Sequence, residues 1–163
     1  MNDQDAARLG KAAEHLVAAS CILTSGLKLN VSTSLVDDEG VDLVFHRRGK
    51  SMTLAVQVKS RSIATKGLSQ QGRFYAQVKA ATFRPRRDLY LLFVPVDVDE
   101  GTFSFVWLVP SKMFAKRPVN KRGRRIFSAS ANDGSKDQWS KYRVERAELA
   151  GEILSAIKKL GPR

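Results

Sequence analysis

The chain has 163 residues, of which 43% are hydrophobic and 27% are charged. This length and composition exclude a largely disordered chain and predict one globular domain over residues 1–163 with a buried core. The formal net charge is +12, and the whole excess of Lys and Arg lies after residue 60. The later part of the chain is therefore expected to bind a polyanion, the alternative being that its charge only maintains solubility.

The sequence lacks the marks of a secreted or membrane protein. The acidic start has neither the basic nor the apolar region of a signal peptide, and the single Cys21 excludes an internal disulfide. The longest apolar runs, around residues 89–96 and 103–110, are far shorter than a membrane span and fit buried strands. We expect a cytoplasmic protein without a membrane partner.

A helix is predicted first, over residues 3–20, because apolar side chains recur at spacings of three and four. Asp3 or Asp5 is its expected N-cap. Glu14 lies on the flank of the apolar face, from which it can reach over a sheet edge or pair with Lys11 or Arg8. Residues 27–34 then alternate as a first strand.

An antiparallel hairpin is predicted from two runs rich in β-branched residues, at positions 41–46 and 53–59. The polar turn between them contains Gly49. Since side chains alternate along a strand, Gln57 and Lys59 share one face, which meets a site or water, while their apolar neighbours enter a core.

The register of this hairpin adds a constraint. If His46 pairs with Thr53, Asp42 pairs with Gln57 on the same face. Mg²⁺ prefers oxygen ligands, so Asp42 and the Gln57 carbonyl can supply two, while Lys59 stabilises an anion or orients a nucleophilic water. The alternative is an ordinary hairpin with a solvated polar face.

Four polar residues follow one another along the chain: Glu14 on the predicted helix, Asp42 within residues 40–44, and Gln57 and Lys59 within residues 56–60. Their order resembles the pattern of the PD-(D/E)XK nuclease superfamily. Within it, the order looks like the Q-x-K branch related to Holliday-junction resolvases. The likeness is clearest over residues 8–60 and continues by strand order to about 110.

This resemblance implies a restriction-endonuclease-like α/β fold, a mixed β-sheet flanked by helices. It implies a catalytic core over about residues 5–110 and a basic extension with a helix over residues 111–163. It also implies Glu14 and Asp42 as acidic ligands of Mg²⁺ or Mn²⁺, Gln57 in the position usually held by an acid, and Lys59 as the catalytic lysine. The chain departs from the family pattern at Gln57 and in having no Pro before Asp42.

Residues 60–73 are predicted to form a long loop after this strand, one that can cover a substrate. Arg61, Lys66 and Arg73 in it suit phosphate contacts. Residues 74–79 predict a strand, with a short helix as the alternative, and repeat the string Gln-Val-Lys. We place the site at the first copy because the second has no acid-bearing partner strand immediately before it.

The remaining elements follow from apolar spacing and turn residues. Residues 89–96 and 102–109 predict a second hairpin, in which Trp107 is expected in the core. Ser111 is the expected N-cap of a short helix over residues 112–116. Residues 148–160 predict a final amphipathic helix.

Residues 112–125 contain seven Lys and Arg and no acid. Such a run is solvated or lies along phosphates, so these residues are expected to bind nucleic acid: Lys121, Arg122, Arg124 and Arg125. Trp139 and Tyr142 either stack on unpaired bases or pack the last helix.

These features predict a Mg²⁺- or Mn²⁺-dependent endonuclease acting on DNA. The rival hypothesis is a binding module that grips nucleic acid on a nuclease-like fold without cutting it, which the neutral Gln57 favours. The sequence does not exclude RNA and leaves open whether a homodimer is needed to cut both strands.

Overall fold

The computed structural model describes residues 2–35, 39–63 and 72–161. The predicted loop therefore lies largely outside the described residues, as does Lys66. The helices are α1 (Asp3–Thr24), α2 (Ser111–Phe114) and α3 (Arg146–Leu160), with a 3-10 turn at Ser140–Tyr142. The strands are β1 (Leu29–Thr33), β2 (Leu43–Arg47), β3 (Thr53–Ile63), β4 (Arg73–Lys79), β5 (Leu89–Asp97), β6 (Phe105–Pro110), β7 (Arg124–Ser130) and β8 (Arg143–Glu145).

Six strands form a main sheet in the order β1-β2-β3-β5-β6-β8, and β4 pairs with β7 in a separate small sheet. The β3–β5 pair is parallel, whereas the other neighbours are antiparallel. The main sheet is therefore mixed, and α1 and α3 pack on one of its faces. This arrangement confirms the expected α/β class, a mixed sheet with flanking helices.

The helical side of the main sheet contains the first core. Val17 of α1, Val56 of β3 and Ile153 of α3 belong to one buried cluster, and full burial of each such side chain stabilises the fold by roughly 1.5–3 kcal/mol. Cys21 also lies in this core, where burial raises the pKa of its thiol to about 12. At neutral pH it is therefore a packing residue and not a nucleophile.

The opposite face of the main sheet carries a second core, beneath the small sheet. Ala55 of β3 and Phe93 of β5 cluster there with Phe74 and Phe127 of the small sheet. The rings of Phe93 and Phe127 stack with centroids 3.7 Å apart. Ala55, Gln57 and Lys59 are spaced two residues apart along β3 and therefore share one face of the strand. The side chains of Gln57 and Lys59 thus lie on the face that the small sheet covers.

Several element boundaries differ from those predicted. The N-cap of α1 is Asn2, whose Oδ1 accepts the Asp5 N–H at 2.8 Å, and not Asp3 or Asp5. Strand β3 continues to Ile63, so the predicted loop starts later than residue 60. Ser111 is the first residue of α2, and the N-cap is Pro110. The Ser111 hydroxyl does not cap the helix; it accepts the Arg86 N–H and donates to the Arg86 carbonyl.

Trp139 is a core residue of the second cluster. The residue is 4% exposed, and its ring contacts the rings of Phe114 and Phe127. Trp139 is therefore a hydrophobic anchor, as one of the two alternatives held, although its neighbours belong to the second core and not to the last helix. Its burial removes it from stacking on bases.

Candidate active site

The hairpin of β2 and β3 has the predicted register, with His46 opposite Thr53. Its ladder ends at the pair Leu43–Val56. Asp42 therefore precedes β2 and is not a ladder partner of Gln57, contrary to the expected pairing of these two residues.

Asp42 is instead bound to β3 by two hydrogen bonds, one before and one after Gln57 in the chain. Its N–H donates to the Val56 carbonyl at 3.0 Å, and its Oδ2 accepts the Val58 N–H at 2.6 Å. The carboxylate thus replaces the main-chain acceptor that a longer β2 would have offered to Val58. Because the carboxylate is tied to the backbone at Val58, the residue after Gln57, its position is fixed.

Gln57 is enclosed by the chain that leads into Asp42. The residue is only 7% exposed. Gly40 has a φ of +71°, and a Cβ built on Gly40 would lie 2.4 Å from Gln57 Nε2. Only glycine permits both this backbone conformation and so close an approach, so Gly40 shapes the site as directly as a polar residue does.

Gln57 and Lys59 open into a polar cavity of about 210 Å³. The cavity is lined by Gly40, Gln57, Lys59, Gln77, Lys79, Thr82 and Arg124. Both copies of the Gln-Val-Lys string therefore meet at one cavity, the first from β3 and the second from β4. Sequence reasoning, which treated the copies as alternatives, missed Lys79, Gln77 and Thr82; the repeated string was the signal that could have found them.

Glu14 lies on α1, which packs on the face of β3 that carries Val56 and not on the face of Gln57. It is 8% exposed, and its Oε2 lies 2.9 Å from the Lys11 ammonium. This pairing is the second of the two arrangements that the sequence allowed. A role for Glu14 as a metal ligand stays a prediction.

The donor atoms of the predicted metal ligands suit a hard cation. Asp42 and Glu14 offer carboxylate oxygens and Gln57 an amide oxygen, the ligand types of Mg²⁺ and Mn²⁺. Within the described ranges, no three His, Cys, Asp or Glu side chains come together. These donor types suit a hard cation that keeps much of its water shell. Because α1 packs on the face of β3 opposite to Gln57, ligation of one cation by Glu14 together with Asp42 and Gln57 stays a prediction.

Two basic residues near the predicted loop are held by local hydrogen bonds. The Arg61 guanidinium donates to the Ser60 carbonyl at 2.9 Å, and its side chain remains exposed. The Arg73 guanidinium donates to the Ser128 hydroxyl at 3.0 Å and to the Ser128 carbonyl at 3.1 Å, which joins β4 to β7. Both lie on the surface, where they remain candidates for phosphate contacts.

The four basic residues predicted as one phosphate-binding group are divided by the structure. Lys121 and Arg122 are exposed in the turn before β7, whereas Arg124 lines the cavity. Arg125 is half-buried, and its guanidinium donates to the Arg117 carbonyl. The run therefore combines an exposed turn, a cavity residue and a structural residue.

A similar fold is found in a homing endonuclease. A solved bacterial homing endonuclease, I-Ssp6803I, is 18% identical to this chain with a TM-score of 0.58, and the match covers 94% of this chain and 96% of that one. At this identity, the likeness establishes the fold alone. Neither a family model nor a curated protein sequence matches the chain. None of the helices in the described ranges has the length and apolarity to cross a membrane.

Proposed function

We propose that this protein is a metal-dependent endonuclease of the PD-(D/E)XK type, in its Q-x-K form, that hydrolyses phosphodiester bonds in DNA. The observation that carries the proposal is the hydrogen bond that holds the Asp42 carboxylate on the N–H of Val58. Val58 is the residue of β3 that separates Gln57 from Lys59. The fold that the chain shares with a homing endonuclease over nearly its whole length supports it.

Each residue of the site has a separate task. Asp42 and Gln57, with Glu14, would hold Mg²⁺ or Mn²⁺, which supplies Lewis-acid stabilisation of the phosphate and a more acidic water. Lys59 donates to oxygens of the attacked phosphate and stabilises the negative charge that develops there. The half-buried position of Lys59 strengthens this interaction, because less water screens the ammonium.

A second candidate function is nucleic-acid binding without cleavage. The cavity lining contains three cations and no carboxylate, and the residue in the usual acidic position is the neutral Gln57. Such a lining favours anion binding, and it supplies no negative charge that would hold a metal cation.

DNA is the substrate that we propose, since the net charge of +12 suits a polyanion and the structural relative is a homing endonuclease. RNA is the competing polyanion. A homodimer would place two sites on one duplex and cut both strands, and we expect the protein to act in the cytoplasm.

The deciding experiment incubates the protein with supercoiled plasmid, linear duplex, a four-way junction and a single-stranded RNA, each with Mg²⁺, Mn²⁺ or EDTA. The proposal expects DNA cleavage that EDTA abolishes, and conversion of plasmid to the linear form would indicate two cooperating sites. Salt-dependent binding without cleavage under any metal would establish the second function. Cleavage of RNA alone would show that the substrate is RNA and not DNA.

A further inference from the structure

The second Gln-Val-Lys string has a place in the structure that the proposed chemistry does not use. Gln77 and Lys79 project from β4 into the cavity that Gln57 and Lys59 enter from β3. Lys79 and Arg124 are directly opposed in the register of β4 and β7. The two walls of the cavity thus bring Lys59, Lys79 and Arg124 around one space.

This concentration of positive charge is not balanced within the described part of the chain. None of the three cations forms an ion pair there. Like charges directly opposed on neighbouring strands destabilise a sheet, and Lys79 and Arg124 are such a pair. A bound anion would relieve the repulsion and gain hydrogen bonds from both groups.

The other lining groups suit the same ligand. Thr82 offers a hydroxyl donor, while Gln57 and Gln77 offer amides. The Gln77 amide already donates to the Tyr75 hydroxyl at 3.0 Å, which orients it. A guanidinium and two ammonium groups match the several oxygens of a phosphate, since Arg binds it with a planar fork and Lys as a point charge.

We propose that Lys79 and Arg124 form a phosphate-binding subsite for a backbone phosphate adjoining the one attacked beside Lys59. This inference rests on the proposed function, because it assigns the second wall of the same cavity to the same nucleic acid. Lys79 and Arg124 are positioning residues that hold the strand while Lys59 faces the reacting phosphate.

The test is DNA binding in EDTA, where the proposal expects no hydrolysis. Lys79→Gln and Arg124→Gln should each weaken binding about tenfold at low salt and flatten the slope of log affinity against log salt by about 0.9. Lys79→Arg should keep the slope. Lys158→Gln, on α3 on the other side of the main sheet, is the matched control and should change neither quantity. Circular dichroism and thermal melting check that each variant is folded.

A second arm locates the phosphate by replacing single backbone phosphates with neutral methylphosphonates. One position should weaken binding by the wild type and cause no further loss in Lys79→Gln, since the two changes remove one interaction. Such dependence on position separates a backbone phosphate from a free phosphate ion. Unchanged slopes, or losses that add at every position, overturn the subsite even if the protein cuts DNA. If the losses from Lys79→Gln and one methylphosphonate do not add, but the protein does not cut DNA in Mg²⁺, the subsite stands and the proposed nuclease activity is wrong.

Discussion

The Asp42 carboxylate accepts the main-chain N–H of Val58 at 2.6 Å, just beyond the last ladder pair of β2 and β3. Beyond the end of the ladder, a side-chain oxygen of Asp42 thus accepts a hydrogen bond from β3. The bond is charge-assisted and short, so it holds the carboxylate more firmly than a solvated acid would be held. A carboxylate that is held in place is also a well-positioned ligand for a cation. Asp42 would therefore have both a structural and a chemical role.

Asp42→Asn should separate these two roles. The amide oxygen can still accept from Val58, so the free energy of unfolding should change by no more than about 1 kcal/mol. The lost charge should lower the cleavage rate and raise the Mg²⁺ concentration required. Melting with and without Mn²⁺ gives a second readout, because a cation that binds only the folded state raises the melting temperature.

Asp42→Ala is the companion variant, and it should cost about 1–3 kcal/mol of stability because the Val58 N–H loses its partner. Full activity of Asp42→Asn at the wild-type Mg²⁺ requirement would remove Asp42 from the cation site.

Gly40→Ala should impair the site through Gln57. The new methyl group would lie 2.4 Å from Gln57 Nε2, so the amide or the chain at Gly40 must shift. We expect a marked loss of cleavage together with a loss of stability of about 1–2 kcal/mol from the left-handed backbone. Rates measured at saturating protein and thermal melting report the two effects.

Gly49→Ala is a matched control, since Gly49 has a φ of +76° and no atom within 4 Å of an added Cβ. It should show the same backbone strain and full cleavage. An equal loss of activity in both variants would mean that strain, and not the displacement of Gln57, is responsible.

The exposed basic turn should raise affinity by neutralising phosphates of the bound DNA. Replacing Lys121 and Arg122 together by Gln should flatten the salt dependence of DNA binding by about 0.9 for each phosphate that is no longer neutralised. Arg125→Gln should instead lower the melting temperature, because the Arg125 guanidinium bonds the Arg117 carbonyl. A salt dependence equal to that of the wild type in the double variant would show that the turn is only solvated.

Asp137 should make the fold sensitive to acid. Burial tends to raise its pKa, but hydrogen bonds from the N–H groups of Ser130 and Trp139 and from the Ser140 hydroxyl, with the charge of Arg73, outweigh burial and lower the pKa. The unfolded chain therefore binds this proton at a higher pH than the folded chain does. The stabilisation is fully present above the ordinary carboxyl pKa of about 4 and is lost as the pH falls through the lower folded value.

Urea unfolding of wild type and Asp137→Asn at a series of pH values from about 2 to 6 measures this contribution. The difference in unfolding free energy between the two proteins should shrink as the pH falls. A difference that is constant over the series would contradict the assignment.

Local patterns in the sequence predicted much of the fold. Helix α1, the β2–β3 hairpin and the stripe of α3 all follow from apolar spacing, which depends on neighbours a few residues apart. Strand β7 was missed although its residues alternate in burial, because the basic run before it indicated a solvated segment. Its partner β4 lies about fifty positions earlier, as in the pair Lys79–Arg124, and no local pattern encodes such a pairing.

The candidate site was predictable in part for the same reason. Gln57 and Lys59 follow from alternation on one strand, and both line the cavity. The second wall and the main-chain bond of Asp42 depend on how separate elements meet, so no spacing within one element indicates them. Helix periodicity predicted which face of α1 packs on the sheet. It could not predict where that helix, and with it Glu14, lies relative to Gln57.

Lys59 is the residue proposed to act on the attacked phosphate, and single-turnover cleavage with Mg²⁺ at saturating protein measures this role directly. Lys59→Ala should lose most of the cleavage rate with little change in DNA affinity, because its interaction strengthens as charge develops in the transition state. Lys79→Ala should lose affinity and keep most of its rate once DNA is saturated, and Lys158→Ala should match the wild type. Cleavage at the wild-type rate by Lys59→Ala, with loss of cleavage in Lys79→Ala, would contradict this assignment and move the chemistry to the strand β4.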